Sequence, residues 1–211
     1  MLPPAHDYAP QPKVKLLGAA DLSVLCKQDC QNVLQSFRAI PLPESVDVRI
    51  AYLPTHEVMK WHHAREDYVG KHLRGKVPLI KGAIAPSGRR WCIWTRTFNS
   101  LDPSAEKLTI LRIADWDIGD ESSDGVGQAG KEEEIIMLLK AAQEQARKWR
   151  MKEVMIWNPT DRVVDASCRL LGRQVEIVER ETDSIPSLRW NGEEGLDACI
   201  QWDLNEKFAW C

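Results

Sequence analysis

The sequence predicts an α/β fold in which a mixed, mainly antiparallel sheet is flanked by helices on both faces. Three strand patterns follow one another at residues 78–85, 89–98 and 108–117, which predicts neighbouring strands in one sheet. A long helix pattern and a short apolar strand at 153–157 come next, and such crossovers place helices on the faces of a sheet. The middle pattern, RRWCIWTRTF, has apolar residues on both sides, so this strand is expected to be covered on both faces.

Four elements are predicted before these three strands. A short strand at 13–17 is followed by a helix at 20–40, whose larger apolar residues recur on one side. Residues 46–52 alternate apolar and polar side chains, which is typical of a strand with one solvated face. The next helix is expected at 55–73, where Thr55 is placed to act as the N-cap.

The second half of the chain continues the alternation of helices and strands. The segment at 117–130 is rich in glycine and acidic residues and contains a G-x-G-x-x-G string, which we interpret as part of a mobile loop. A helix with a regular apolar stripe is predicted at 131–150, and Gly172 is expected to end another helix at 161–171. The last strands are expected at 175–180, 187–190 and 198–203.

Composition excludes several classes of protein. The net charge of −3 gives no electrostatic reason to expect nucleic acid or an anionic membrane as a partner. No segment approaches the roughly 20 apolar residues of a membrane span, and six scattered cysteines favour a reducing compartment, so a cytoplasmic protein is predicted. The four prolines in residues 1–12 predict a flexible tail or linker, and residues 13–211 are expected to form a single domain.

The segment THEVMKWHHARED, residues 55–67, contains three histidines and three acids but does not fit a zinc-protease helix. That motif places a second histidine four positions after the first, so that both imidazoles leave the same face. The residue four positions after His56 is Lys60, and a protonated lysine cannot bind a metal ion. No metal site is therefore predicted.

The same helix offers side chains for other roles. His62 and Glu66 form an i,i+4 pair, and Trp61 and Arg65 are placed for a cation–π contact. The alternatives are a structural network of polar side chains and a substrate pocket or interface. For the second alternative, the candidate residues are Trp61, His62, His63, Arg65 and Glu66.

Arg96 lies on a largely apolar face of the predicted central strand, together with Trp94 and Phe98. A guanidinium group in this position can bind a substrate carboxylate through two parallel hydrogen bonds. An acidic partner within the protein is the alternative. Trp94 and Arg96 therefore join the candidate substrate or interface residues.

The order of elements resembles the GNAT N-acetyltransferase fold, and the motifs are most similar to the C-terminal half of fungal lysine N-acetyltransferase-like proteins. The resemblance covers residues 13–211. The motifs that carry it are VRIAYLPTHEVMKWHHARED (48–67), KGAIA (81–85), RRWCIWTRTF (89–98), LTILRI (108–113) and WNPTD (157–161).

This resemblance implies transfer of an acetyl group from acetyl-CoA to an amine, with lysine as the acceptor. It also implies a partner, because these proteins carry a further acetyltransferase half before the half that is similar to this chain. The family's pyrophosphate loop has glycines at the two positions that correspond here to Glu133 and Ile135, and Gly130 stands where the family has arginine or glutamine. The loop therefore departs from the family pattern.

Two further features of the family can be located. The strand that pairs with the pantetheine arm of the cofactor corresponds to ILRIADWD, which makes Ile113, Ala114 and Asp115 the candidate cofactor-binding residues. The tyrosine that protonates the leaving thiolate corresponds to Cys168, and Asp115 is a second candidate for proton transfer. The chain therefore has a strand that corresponds to the cofactor-binding strand of the family, but it lacks the tyrosine at the position of the proton donor.

We therefore predict a degenerate half that packs on a catalytic acetyltransferase half and shapes the acceptor pocket. An active acetyltransferase with an atypical site for acetyl-CoA and a non-enzymatic interaction module are the alternatives. An exposed apolar patch on the sheet, where a second half would dock, would favour the degenerate half. A V-shaped opening between the strands at 108–115 and 153–157, lined by outward backbone amides, would favour the enzyme, and the absence of both would favour the interaction module.

Overall fold

Seven strands and four α-helices are present in the residues that the computed structural model describes, which are 14–116, 128–179, 185–193, 195 and 197–210. The tail predicted at 1–12 and most of the loop predicted at 117–130 lie outside the described residues. In chain order the elements are β1 (Lys15–Gly18), α1 (Leu22–Ala39), β2 (Val48–Ala51), α2 (His56–Arg74), β3 (Ile80–Ile84), β4 (Arg90–Thr97), β5 (Lys107–Asp115), α3 (Gln128–Lys148), β6 (Glu153–Ile156), α4 (Asp161–Leu171) and β7 (Ile200–Asp203).

Five strands form the main sheet, in the order β1-β3-β4-β5-β6. Neighbouring strands are antiparallel except for β5 and β6, which are parallel because α3 crosses over between them. The predicted mixed, mainly antiparallel sheet is thus confirmed. The strand predicted at 46–52 forms as β2, but it pairs with β7 in a separate two-stranded parallel sheet.

Two of the predicted strands do not form, since residues 175–179 and 187–190 have no regular secondary structure. The alternating pattern of VEIVER is typical of a half-buried strand, but strand backbone groups also need a neighbour to pair with. Ile177 and Val178 are 71% and 64% exposed, so this segment is not packed as a strand. Helix α3 also begins at Gln128, before the predicted start at residue 131.

Helices cover both faces of the main sheet, as predicted. Cys92 and Trp94 of β4 pack in a core with α3 and α4, whereas Trp91 and Ile93 pack in a second core with α1, α2 and the turn at 207–209. The central strand is therefore buried on both sides. Within the described ranges, none of the helices combines the length and the apolar content that a membrane crossing requires.

An opening lies between β5 and the chain that follows β6. The two strands pair only between residues 107–110 and 153–156. β5 continues to Asp115, whereas the chain after β6 turns into α4. We call the space between residues 111–115 and 157–160 the β5–β6 opening.

Replacing Gly82 of β3 by alanine tests how closely β3 and β4 approach. A Cβ atom at this position would lie 2.3 Å from the carbonyl oxygen of Cys92, which is far inside van der Waals contact. We expect Gly82→Ala to lower the free energy of unfolding by about 3 kcal/mol, measured by urea denaturation.

Gly18→Ala is the matched control, because Gly18 lies on β1, which also pairs with β3. A Cβ atom there would meet its nearest neighbour, the carbonyl oxygen of Leu79, at an ordinary 3.7 Å. We expect a change of about 0.5 kcal/mol or less. Equal losses in both variants would contradict the close approach at Gly82.

Candidate functional site

The C-terminal segment, residues 204–210, lies in the β5–β6 opening on the side of α1 and α2. The carboxylate of Glu206 accepts a hydrogen bond from the backbone N–H of Ile113 and forms an ion pair with Arg112, both on β5. In a continuous sheet the next strand would take the hydrogen bond from Ile113. Glu206 therefore takes the place of a neighbouring strand at this position.

The segment is also attached to the chain on the β6 side of the opening. The side-chain amide of Asn158 donates a hydrogen bond to the backbone carbonyl of Asn205. The ammonium group of Lys207 lies 4.5 Å from the centre of the Trp157 ring, which is within the range of a cation–π contact. The C-terminal segment thus bridges the two sides of the opening.

Two buried histidines of α2 face backbone carbonyl groups. Nε2 of His62 lies 3.0 Å from the carbonyl oxygen of Phe208, and Nε2 of His63 lies 3.0 Å from that of Trp94. Because a carbonyl only accepts, each Nε2 must carry the proton. Burial lowers the pKa of both side chains, for His63 to about 4, so both are neutral at pH 7.

Arg112 connects the C-terminal segment to α1. Its Nε and Nη2 atoms lie 2.9 and 3.1 Å from the two carboxylate oxygens of Asp29, which is fully buried. Burial disfavours the charged form of Arg112, but Glu206 and Asp29 outweigh this and raise its pKa. Burial also raises the pKa of Glu206, although Arg112 opposes the shift.

Asp115, the candidate for proton transfer, forms ion pairs with two arginines, one on β4 and one on α4. Its carboxylate lies 2.7 Å from Nε of Arg90 on β4 and 2.5 Å from Nη1 of Arg162 on α4. The fully buried Arg90 also contacts Glu134 of α3 at 3.0 Å. The pair between Asp115 and Arg162 connects β5 directly to the helix that follows β6.

The residues at the family's pyrophosphate-loop positions lie inside α3, which begins at Gln128. The backbone N–H groups of a helix bond within the helix from the fifth residue onward. The N–H groups of Glu133 and Ile135 are therefore not available to a phosphate. This conformation does not fit the pyrophosphate loop that the resemblance implies.

The polar residues of α2 form a buried network, and His62, Arg65, Glu66 and Arg96 also line a small cavity of about 40 Å³. Glu66 accepts hydrogen bonds from Arg96 at 2.8 Å and from Lys81 at 2.5 Å, and these three side chains are at most 3% exposed. Arg96 also contacts Gln145 of α3 at 3.2 Å, and Lys81 contacts Asp67 at 2.5 Å. Of the two partners considered for Arg96, the structure provides the internal acid.

The remaining candidates of this group divide by exposure. Trp94 is fully buried and donates from Nε1 to the carbonyl of Ile80 at 3.3 Å. Trp61 is 47% exposed, with its ring edge-on to His62 at a centroid distance of 5.0 Å, and Arg65 is also exposed. Only Trp61 and Arg65 of this group are therefore accessible to a partner.

The predicted cofactor and proton-transfer residues do not converge on one point. The side chain of Ile113 packs toward α3 and α4, whereas Ala114 is fully buried in the opposite core. Cys168 is exposed on α4, and its role and that of Asp115 stay predictions. Within the part of the chain that the structure describes, no three histidine, cysteine or carboxylate side chains gather as a potential metal site.

Sequence reasoning missed Glu206 and Asp29, which stand 94 and 83 residues from their common partner Arg112. The available signal was Arg112 itself, a charge inside the apolar pattern LTILRI. A buried arginine requires an acidic partner. The pattern does not tell which of the distant acids is that partner.

Glu66→Gln tests the buried network. The substitution keeps the size of the side chain but leaves Arg96 without its carboxylate partner in the interior. Removing one member of a buried ion pair costs about 3–5 kcal/mol, so we expect a loss of this size in the free energy of unfolding, measured by urea denaturation.

Asp67→Asn provides the matched control, because Asp67 binds the same Lys81 but its side chain is 39% exposed. Partly exposed ion pairs contribute about 1 kcal/mol or less. Similar losses for Glu66→Gln and Asp67→Asn would show that the buried ion pair contributes no more to the free energy of unfolding than the partly exposed one.

His63 predicts a pH dependence of stability. Its folded pKa is lowered to about 4, below the unfolded value of about 6.5. Its contribution is therefore complete above pH 6.5 and is lost as the pH falls toward 4. Between pH 7 and 5.5 we expect the wild type to lose about 1 kcal/mol more than His63→Gln, which keeps an N–H donor for the Trp94 carbonyl. We would measure both proteins by urea denaturation at both pH values. Equal losses of unfolding free energy in the wild type and in His63→Gln would contradict this prediction.

Comparison with known proteins identifies the family. A family model described as the LYC1 GNAT-like C-terminal domain matches residues 1–211. No curated protein and no solved structure matches the chain. The match spans the entire sequence and agrees with the mixed, mainly antiparallel sheet and its helices. The chain therefore belongs to the LYC1 GNAT-like C-terminal domain family, within the GNAT superfamily of acetyltransferase-type proteins.

Proposed function

We propose that this chain is the degenerate C-terminal half of a lysine N-acetyltransferase-type protein. It does not bind acetyl-CoA itself, but packs on a catalytic acetyltransferase half and helps to shape the pocket for the acceptor amine. The observation that carries this proposal is the C-terminal segment in the β5–β6 opening, with Glu206 bound to the N–H of Ile113.

The pantetheine arm of acetyl-CoA would need the backbone groups that Glu206 now uses. To free the N–H of Ile113, the ion pair between Glu206 and Arg112 must break inside the protein. This costs about 3–5 kcal/mol, which corresponds to a factor of about 10² to 10⁴ in affinity. A cofactor that would otherwise bind with micromolar affinity would then bind with a dissociation constant of about 0.1 to 10 mM.

The other parts of the expected cofactor site support the same conclusion. The helical conformation of Glu133 and Ile135 keeps the backbone amides at these two positions bonded within α3, so they are not available to the pyrophosphate. Both carboxylate oxygens of Asp115 are engaged by arginines, and Cys168 is exposed on α4. The described residues therefore do not fit acetyl-CoA, although GNAT proteins generally use it.

The outer face of α2 supports the proposed contact with a catalytic half. Trp61, Arg65 and Tyr68 follow one another at i, i+4 and i+7, and the two aromatic rings are 47% and 67% exposed. Tryptophan, tyrosine and arginine are the residues most enriched at interface hot spots. We assign this face to the partner half, in the cytoplasm of a fungal cell, where the free cysteines of the chain remain reduced.

Calorimetric titration of acetyl-CoA into the chain tests the loss of the cofactor site. We expect a dissociation constant of about 0.1 mM or weaker, because the opening is occupied from within. Addition of the chain to a catalytic half should then increase the rate of lysine acetylation, and Trp61→Ala should reduce this increase about tenfold or more. Lys140→Ala, an exposed change on α3 away from this face, is the control.

Micromolar binding to the chain alone would overturn the proposal. Ile113→Pro would then locate the site, because it removes the one N–H in question while retaining an extended backbone. Binding that Ile113→Pro abolishes in a folded sample would establish an active, atypical site for the cofactor. Absence of both binding and stimulation would favour a non-enzymatic interaction module.

A further inference from the structure

Strand β6 lies at the edge of the main sheet, and its side chains line a groove. One edge of β6 pairs with β5, and no described strand pairs with the other. The groove has a volume of about 670 Å³. Its lining includes Val154 and Ile156 of β6, Leu139 of α3, Leu170 of α4 and the segment 175–179.

The backbone of β6 determines which kind of ligand suits this groove. An edge strand presents N–H and C=O groups that another extended chain can pair with. Natural sheets protect such edges with charged residues, above all lysine, or with proline or a bulge; β6, EVMI, has a charged residue only at its first position, Glu153, and contains no lysine or proline. Four residues at about 3.3 Å each offer a pairing length of about 13 Å.

Segment 175–179, which also lines the groove, has no described strand paired with it either. The described segment 175–179 is not a strand, and it leaves Ile177 and Val178 71% and 64% exposed. Because β6 and this segment line the same groove, a strand bound in it would pair with β6 and cover the exposed side chains of the segment. One added strand would thus pair with the backbone of β6 and also cover the exposed side chains of segment 175–179.

We propose that β6 binds an extended segment of a partner polypeptide, which adds a strand to the main sheet. The apolar lining of the groove selects side chains that are apolar at alternate positions. Glu176 and Glu179 line the groove, and its described lining contains no lysine or arginine, so the segment carries basic residues at its ends. This inference is independent of the proposed loss of the cofactor site.

Selection from a displayed library of random peptides, about twelve residues long, tests the proposal with the full chain as bait. We expect selected peptides with alternating β-branched residues and flanking lysine or arginine. Fluorescence anisotropy should show that N-methylation of alternate backbone amides weakens a selected peptide at least tenfold, because it removes the strand hydrogen bonds while retaining the side chains. Hydrogen exchange should show protection at residues 153–156.

Charge reversal supplies the second readout. Glu176→Lys combined with Glu179→Lys should weaken a lysine-flanked peptide about tenfold and favour its glutamate-flanked version. Glu57→Lys, an exposed change on α2 outside the groove, should alter neither. The proposal is overturned if no peptide binds, if N-methylated and parent peptides bind equally, or if protection appears away from β6.

Discussion

The buried guanidinium group of Arg112 joins three parts of the chain that are far apart in sequence. It pairs with Asp29 of α1 and with Glu206 of the C-terminal segment, while its own backbone belongs to β5. A buried charge without a partner costs several kcal/mol. The helix, the strand and the C-terminal segment must therefore come together, and the position of that segment in the β5–β6 opening follows from charge balance.

The same arrangement is repeated across the sheet, since three arginines of β4 and β5 each reach an acid on a different helix. Replacing such buried pairs by apolar side chains is often neutral for stability, so their contribution lies in specifying the arrangement. Here each pair fixes one helix at one position on the sheet. The pairs are Arg90 with Glu134 of α3, Arg96 with Glu66 of α2, and Arg112 with Asp29 of α1.

Local patterns in the sequence predicted which segments form helices and strands better than they predicted which strands pair with each other. The apolar faces of β4 could be assigned because side chains alternate along a strand, and Thr55 was identified as the N-cap of α2. The alternation at 175–180 was misleading, because it reports which side chains are apolar and not whether a neighbouring strand is present. The pairing of β2 with β7 was missed for the same reason.

The candidate site was harder to predict than the fold, because its geometry depends on contacts between distant residues. Arg96 was correctly identified as a buried charge, but only the folded chain reveals that Glu66 is its partner. Glu206 was not predicted as a site residue, because nothing near it in the sequence indicates that it lies beside Ile113. Pairs of this kind leave no periodic signal.

The two sides of β6 now have opposite properties. On its inner side, the space toward the second half of β5 is filled by the C-terminal segment and crossed by the pair between Asp115 and Arg162. On its outer side, no described strand pairs with β6, and the side chains of β6 line a groove of about 670 Å³. The two proposals rest on different sides of this strand, the first on the C-terminal segment beside β5 and the second on the unpaired edge of β6. Taken together, they propose a sheet that binds polypeptide at its edge and no longer binds a cofactor beside β5.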